Sequence, residues 1–329
     1  MPAIGSLEVN SMMDPHDSNA EFLFVKDFCV PFLLGAQNQD GGWGFDTKSN
    51  SRVEPTCWAI RALRNSPVPV PTESLKSAFD YLLSAQLKDG SWSSVAEAHS
   101  GSWVTSLACS VLSQDKIYSC EVQAALKWLC DDFPRDSTLW RRVLQRLRSS
   151  EPVSSHDDSY RGWGWTPHTA SWVEPTSFAI QALRECPEDL RPGAAANRLE
   201  LATGLLYDRM CPNGGWNCGN PMVYGVAGEP LVLPTGWALL ALRDLPSHER
   251  KTMSLDWLAR TFSKISSAAS HAVARITLEA HGRELPKNRR SLPEMFDPRA
   301  FLRTTEVVAW TSLALSPKRS WFPKVESVT

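Results

Sequence analysis

One phrase recurs along this chain and limits what it can fold into. It reads V-E-P-T-C-W-A-I-R-A-L-R at residues 53–64, V-E-P-T-S-F-A-I-Q-A-L-R at 173–184 and V-L-P-T-G-W-A-L-L-A-L-R at 232–243. Degenerate copies read W-V-T-S-L-A-C-S-V-L at 103–112 and T-T-E-V-V-A-W-T-S-L-A-L at 304–315. Aligned on threonine, the copies fall at Thr56, Thr105, Thr176, Thr235 and Thr305, 49 to 71 residues apart. Repetition on this scale marks an array of like supersecondary units. In the three full copies Pro at the first helical turn fixes φ and removes an N–H that a helix start leaves unpaired. Ala, Ile, Leu and Trp then fill most positions rather than one stripe, which predicts short helices buried on all sides.

A second phrase precedes several copies. It reads Q-N-Q-D-G-G-W-G-F at 37–45, Q-L-K-D-G-S-W at 86–92 and C-P-N-G-G-W-N at 211–217, with R-G-W-G-W at 161–165 as a looser form. Asp-Gly and Asn-Gly are turn chemistry, with glycine taking positive φ. Amphipathic helices are predicted before three of these turns, over 20–37, 72–87 and 195–210. Further helical patterns cover 120–132, 137–149, 250–262 and 267–281, while 150–171 and 283–300 read as loops. No strand alternation stands out. The expectation is an all-α domain of about twelve helices in helical hairpins over residues 20–316, with an arm at 1–19 and a tail at 317–329.

Composition removes several classes of function. Lys and Arg total 34 against 36 Asp and Glu, a net charge of −2, so nucleic acid is not an expected partner. No apolar run is long enough to cross a membrane, and the first residues lack a secretory apolar core. A cytoplasmic protein is expected; a peripheral membrane contact and homo-oligomerisation stay open. The eight Cys show no C-x-x-C pair and no zinc spacing, and read as reduced buried thiols. The 14 Trp are the outlier, about three times the ordinary share.

The Q-x-x-D-G-G-W-G-F turn followed by P-T-x-W-A-[IL]-x-A-L resembles the terpene cyclase and protein prenyltransferase superfamily. More narrowly it is similar to the squalene-hopene and oxidosqualene cyclases with their Q-x-x-x-G-x-W repeats. The resemblance implies an (α/α)6 toroid, with inner helices around a central cavity and outer helices around them. It also implies cyclisation of an isoprenoid or polyprenyl substrate begun by protonation. Such cyclases use D-x-D-D-T, whose middle Asp is the acid. Aligned on Thr, Glu54 and Glu174 take that middle position. Arg52 or Trp172 replaces the first Asp, and Pro55 or Pro175 the second.

An alkene is a very weak base, so its acid must be neutral, strong and dry. The helix dipole at Glu54 and Glu174 favours the ionised form, whereas burial among aromatics favours the neutral one. Both Glu can equally be helix-start residues that satisfy free N–H groups. Glu174 is the better candidate, because Trp163, Trp165, Trp172 and His168 crowd the loop before it. His168 could set its proton, or simply be exposed. Carbocations need aromatic faces rather than nucleophiles. Trp58, Phe178 and Trp237, each two residues after a repeat Thr, are candidate cavity rings; packing between helix layers is the alternative. Trp43, Trp92 and Trp216 read as structural turn residues.

No metal and no cofactor are expected, with magnesium entering only for a diphosphate substrate. Asp131-Asp132-Phe-Pro-Arg-Asp136, His156-Asp157-Asp158 and the basic run at 140–148 are weak signals for that chemistry. Thr304-Thr305-Glu306 stands where the zinc site of a prenyltransferase would need His, so that activity is a weaker expectation. The other alternative is a non-catalytic toroid that binds a hydrophobic ligand or a partner protein.

Overall fold

Each copy of the repeated phrase forms a helix with little solvent contact. In the computed structural model, residues 15–95, 97–132, 134, 157, 159–296 and 304–317 are described. The chain opens with α1 (Pro15–Phe24), a π-helical turn (Val25–Cys29) and α2 (Val30–Gly35), then α3 (Val53–Arg64) and α4 (Thr72–Ser84). It continues through α5 (Val104–Leu112), α6 (Ser119–Asp131), α7 (Val173–Glu185) and α8 (Ala195–Asp208). The last five are α9 (Val232–Ala241), α10 (Glu249–Phe262), α11 (Ala268–Ala280), the single turn α12 (Leu292–Met295) and α13 (Thr305–Leu315).

The odd-numbered helices from α3 onward pack each on the next, and α13 packs back on α3, closing an inner ring of six. The remaining elements lie outside this ring, so outer and inner helices alternate along the chain. This is the all-α (α/α)6 toroid expected from the repeats. The predicted helix over 137–149 lies outside the described residues. Three local features differ from expectation. Helix α1 begins at Pro15, inside the stretch read as an arm. The predicted loop 283–300 contains α12, started by a Ser291/Glu294 capping box. A two-residue ribbon pairs Met222–Val223 with Val226–Ala227 before α9.

A three-point clamp built on a turn tryptophan fixes each of four hairpins. The backbone N–H of Trp43 donates to Thr56 Oγ1 at 2.9 Å, and the indole N–H donates to Leu33 O at 2.6 Å. Trp92 repeats this with Thr105 at 3.0 Å and Leu82 at 2.7 Å. Trp163 does so with Thr176 and Leu129, both at 2.9 Å, and Trp216 with Thr235 at 2.8 Å and Leu206 at 2.5 Å. Each Thr hydroxyl also lies within 3.2–3.5 Å of the carbonyl of its own Trp. One indole therefore ties the end of an outer helix to the start of the next inner helix. Gln37 and Gln86 extend the tie sideways, donating to Ser74 O and Glu121 O in the first turns of α4 and α6. The turn glycine makes this contact feasible. Gly41 has φ +89°, and a Cβ there would sit 2.2 Å from Ser77 O.

The ring closes through a different contact. Thr305 Oγ1 donates to Gly44 O at 2.7 Å, and its N–H donates to Phe45 O at 2.9 Å. Thr305 is the first residue of α13, as Val53 is of α3. The threonine alignment therefore misplaces this copy by three residues, and Glu306 corresponds to Glu54.

Thr176→Val keeps the shape of the side chain but leaves the buried Trp163 N–H without an acceptor. The expected loss is about 1–3 kcal/mol of stability, read from the midpoint of urea unfolding. An unchanged midpoint contradicts the clamp.

Candidate active site

The inward faces of the ring can be read down each inner helix at i, i+4 and i+7. Helix α3 presents Glu54, Trp58 and Arg61; α7 presents Glu174, Phe178 and Gln181; α13 presents Glu306 and Trp310. Side chains from different helices meet in layers that follow this order. Carboxyls gather at the mouth where the inner helices begin, aromatic rings lie one turn below, and a polar network lies below them.

The aromatic layer is closed. Trp58 stacks on Trp237 at 5.3 Å between ring centroids and meets Phe178 at 6.0 Å and Trp310 at 5.6 Å, both edge-on. Phe178 and Trp310 lie 5.1 and 5.6 Å from Trp237. Trp103 adds a contact to Phe178 at 5.3 Å and stands edge-on to Trp165 at 5.1 Å. Trp58 and Trp237 retain 1% and 2% of their exposure. Trp58, Phe178 and Trp237 therefore converge as expected, but they fill the axis at this level rather than line an open hollow. The indole N–H groups of Trp58 and Trp310 are buried without a protein hydrogen-bond acceptor.

The remaining expected rings divide between two roles. Trp165 and Trp172 stand 6.5 Å apart in the loop entering α7, with Trp172 37% exposed beside the mouth. Trp163 is a correction. It is 2% exposed, clamped by Thr176 and Leu129, and covered by the Arg198 guanidinium at 4.1 Å. It is a fourth turn tryptophan, held between α6 and the start of α7. Other exposed apolar side chains also sit on loops that enter inner helices: Phe45, Val95, Val223, Val226 and Leu231.

Three carboxyls share the mouth. Glu54 lies beside Glu306, and the charges of Glu306 and of Glu174 both reach it. Burial raises Glu54 well above the usual carboxylate range, and the charges of Glu306 and then Glu174 add to it. Burial also raises Glu306, while Glu54 acts the other way. Glu174 is raised by burial alone. Desolvation thus prevails over the helix dipoles, worth about 0.3–1 kcal/mol each. His168 does not join this group. Its side chain is 67% exposed, and its Nδ1 lies 3.9 Å from Asp132 Oδ1 while its N–H donates to the same oxygen at 3.4 Å.

The opposite end of the ring is polar. Arg61 donates to Ser110 Oγ at 2.5 Å and to Glu185 Oε2 at 3.3 Å, and its guanidinium lies 5.5 Å from the Trp58 ring centroid. Of the weaker diphosphate signals, Asp136, His156, Asp158 and the run at 140–148 lie outside the described residues. Asp132 is the partner of His168. Among the described residues no group of three His, Cys, Asp or Glu could hold a metal. No described helix is long and apolar enough to cross a membrane.

Glu306, Trp310 and Trp103 were not among the sequence candidates. The spacing that reveals two of them is E-x-x-x-[WF], present as Glu54/Trp58, Glu174/Phe178 and Glu306/Trp310. Alignment on threonine hides the third instance.

No protein-family model matches the chain. Drimenyl diphosphate synthase of Streptomyces showdoensis is 26% identical over 211 residues, covering 55% of this chain and 39% of that protein. The chain therefore spans well under half the length of the curated relative it matches. Among solved structures, the ligand-free type II terpene cyclase MstE from Scytonema superposes with a TM-score of 0.54 at 14% identity, over 93% of this chain and 81% of that one. A variant of the same enzyme holding its substrate, geranylgeranyl dihydroxybenzoate, gives 0.54 at 13% identity, over 91% and 80%. A reducing-end-xylose releasing exo-oligoxylanase gives 0.50 at 12% identity, over 95% of both chains. The fold is the helical toroid that type II terpene cyclases share.

A carboxyl held above its unfolded value makes the native state bind extra protons, so its contribution to stability falls as pH rises past the unfolded value near 4.3. Buried His271 and His281, both pushed down to about 4, act in the opposite sense but only below neutrality. Glu54→Gln should therefore stabilise the protein by about 1 kcal/mol at pH 8 and much less at pH 5. Thermal melts of both proteins at the two pH values check this, and an equal effect at both contradicts the raised carboxyls.

Proposed function

We propose that this chain is a protonation-type terpene cyclase that folds and cyclises an isoprenoid chain at the carboxyl-lined mouth of the toroid. One observation carries the reading: a group of desolvated carboxyls stands one helical turn above a closed layer of Trp and Phe rings. A neutral carboxylic acid in that position supplies a proton to an alkene. The ring faces below stabilise the resulting cation through their quadrupoles without offering a nucleophile to trap it. The filled axis beneath closes the site from below.

Support also comes from the matched proteins, a drimenyl diphosphate synthase and a type II terpene cyclase with a geranylgeranyl substrate. Substrate length, and the presence of a diphosphate, are left to experiment; the proton step itself requires no cofactor. The exo-oligoxylanase likeness points to a different chemistry, but the mouth does not suit it. Glycosidases hold their two carboxyls about 5–9.5 Å apart with the sugar and water between them. Glu54 and Glu306 instead stand as neighbours, close enough that the charge of Glu306 acts on Glu54. A non-catalytic toroid that binds an apolar ligand is the second reading, and the filled axis favours it, because rings in mutual contact also serve plain packing.

Incubation with farnesyl and geranylgeranyl alcohols, their diphosphates with and without magnesium, and squalene tests both readings. Gas chromatography with mass spectrometry should find cyclic product from at least one. The triple variant Glu54→Gln, Glu174→Gln, Glu306→Gln should reduce it about 10²–10⁴-fold, the range for loss of general acid catalysis. Binding without cyclic product, or undiminished product in the triple variant, contradicts the cyclase.

A further inference from the structure

We infer that, within the cyclase reading on which this rests, Trp103, Trp165 and Trp172 form the wall along which the isoprenoid chain lies, and that Trp172 reads the length of that chain. The register of the inner helices places the first of these rings. Thr105 holds Trp92 as Thr56 holds Trp43 and Thr176 holds Trp163. Two residues before each threonine, Trp103 on α5 stands where Glu54 stands on α3 and Glu174 on α7. Helix α5 packs between α3 and α7. The mouth therefore carries an indole between two of its carboxyls.

Ring contacts extend the wall outward. Trp103 lies against Phe178 of the closed layer, 5.3 Å between centroids with the planes 31° apart. It meets Trp165 edge-on at 5.1 Å, and Trp165 is followed by Trp172 at 6.5 Å. Exposure rises along the series: Phe178 is 6% exposed, Trp103 and Trp165 are half-buried, and Trp172 is 37% exposed. The rings thus run without a break from the axis to solvent. Phe45 and Tyr224, the other exposed aromatics on the rim loops, join no ring contact among the described residues.

The backbone holds the series in place. The Trp103 N–H donates to Trp165 O at 3.2 Å, which ties the loop before α7 to the start of α5. The Trp172 N–H donates to Trp163 O at 2.9 Å, and Trp163 is itself clamped. A wall set in advance loses little freedom when a ligand lies on it.

An isoprenoid chain suits this wall. It is apolar and carries double bonds at regular intervals. In cyclisation the π pair of each double bond forms the next C–C bond and leaves the positive charge on its far carbon, with no atom gained or lost. The charge therefore travels along the chain, and a chain lying on indoles meets a π face at successive steps. Trp172 is outermost in the series, so only a chain long enough to pass Trp165 reaches it.

Saturated alcohols test the wall without turnover, because they have no alkene to protonate. Tetrahydrogeraniol, hexahydrofarnesol and phytanol have the geranyl, farnesyl and geranylgeranyl skeletons, and equilibrium dialysis of the tritiated compounds gives their affinities. Trp172→Ala should weaken phytanol about 10-fold through lost apolar contact, and tetrahydrogeraniol by less than about 2-fold. Trp172→Phe should restore most of the phytanol affinity. Trp165→Ala should weaken both phytanol and hexahydrofarnesol about 10-fold. Thermal melts verify that each variant is folded. In folded Trp172→Ala, an equal loss for all three alcohols or an unchanged phytanol affinity overturns the assignment, as does a wild type that binds none of them. The expected chain-length pattern without cyclic product from any unsaturated substrate overturns the cyclase reading and leaves the wall. Cyclic product together with a loss that ignores chain length overturns the wall and leaves the cyclase.

Discussion

A threonine hydroxyl at the start of an inner helix accepts the N–H of a turn tryptophan and lies against the carbonyl of the same residue. The indole of that tryptophan reaches the last turn of the preceding outer helix. All four such hydroxyls, on Thr56, Thr105, Thr176 and Thr235, are fully buried, where an unmet hydrogen bond costs about 1–3 kcal/mol. This contact sets the height of four of the six inner helices along the ring axis. It therefore sets which side chains share a layer, because residues at i, i+4 and i+7 on neighbouring helices meet only if the helices start at the same level. Glu54 and Glu174 stand level because Thr56 and Thr176 are held alike. Glu306 reaches the same level by another route, through Thr305 on the carbonyl of Gly44.

The layers explain why the mouth is acidic and the centre is not. Aromatic rings from four helices satisfy one another at the centre, with contacts between 5.1 and 6.0 Å. Such packing adds to stability through area and ring geometry together. The carboxyls above them do the reverse. Desolvation, and for Glu54 the charges of its neighbours, make their ionised forms unfavourable.

Much of the architecture was legible in the sequence, because repetition is a strong signal and the clamp has a fixed chemical spelling. Trp43 and Trp92 announce themselves through Asp-Gly beside them, and Trp216 through Asn-Gly-Gly. Trp163 lacks such a pair and was read as a substrate ring, although Thr176 at the same spacing of thirteen residues identifies it as a clamp. Glu54 was legible as a candidate, but its partner was not. Glu306 lies 252 residues away and next to a threonine that plays a different part from the other four. Glu174 had the more aromatic local sequence, yet local sequence does not report which carboxyl stands beside another. His168 shows the same limit: its neighbours in the chain suggested Glu174, and the fold gives it Asp132.

The central claim is that burial keeps a proton on the Glu54 carboxyl in the resting protein. Neutron diffraction from a deuterated crystal near neutral pH locates it directly. The prediction is nuclear density for a deuteron on the Glu54 carboxyl. A bare carboxylate at Glu54, beside ordered water or a bound cation, would contradict it.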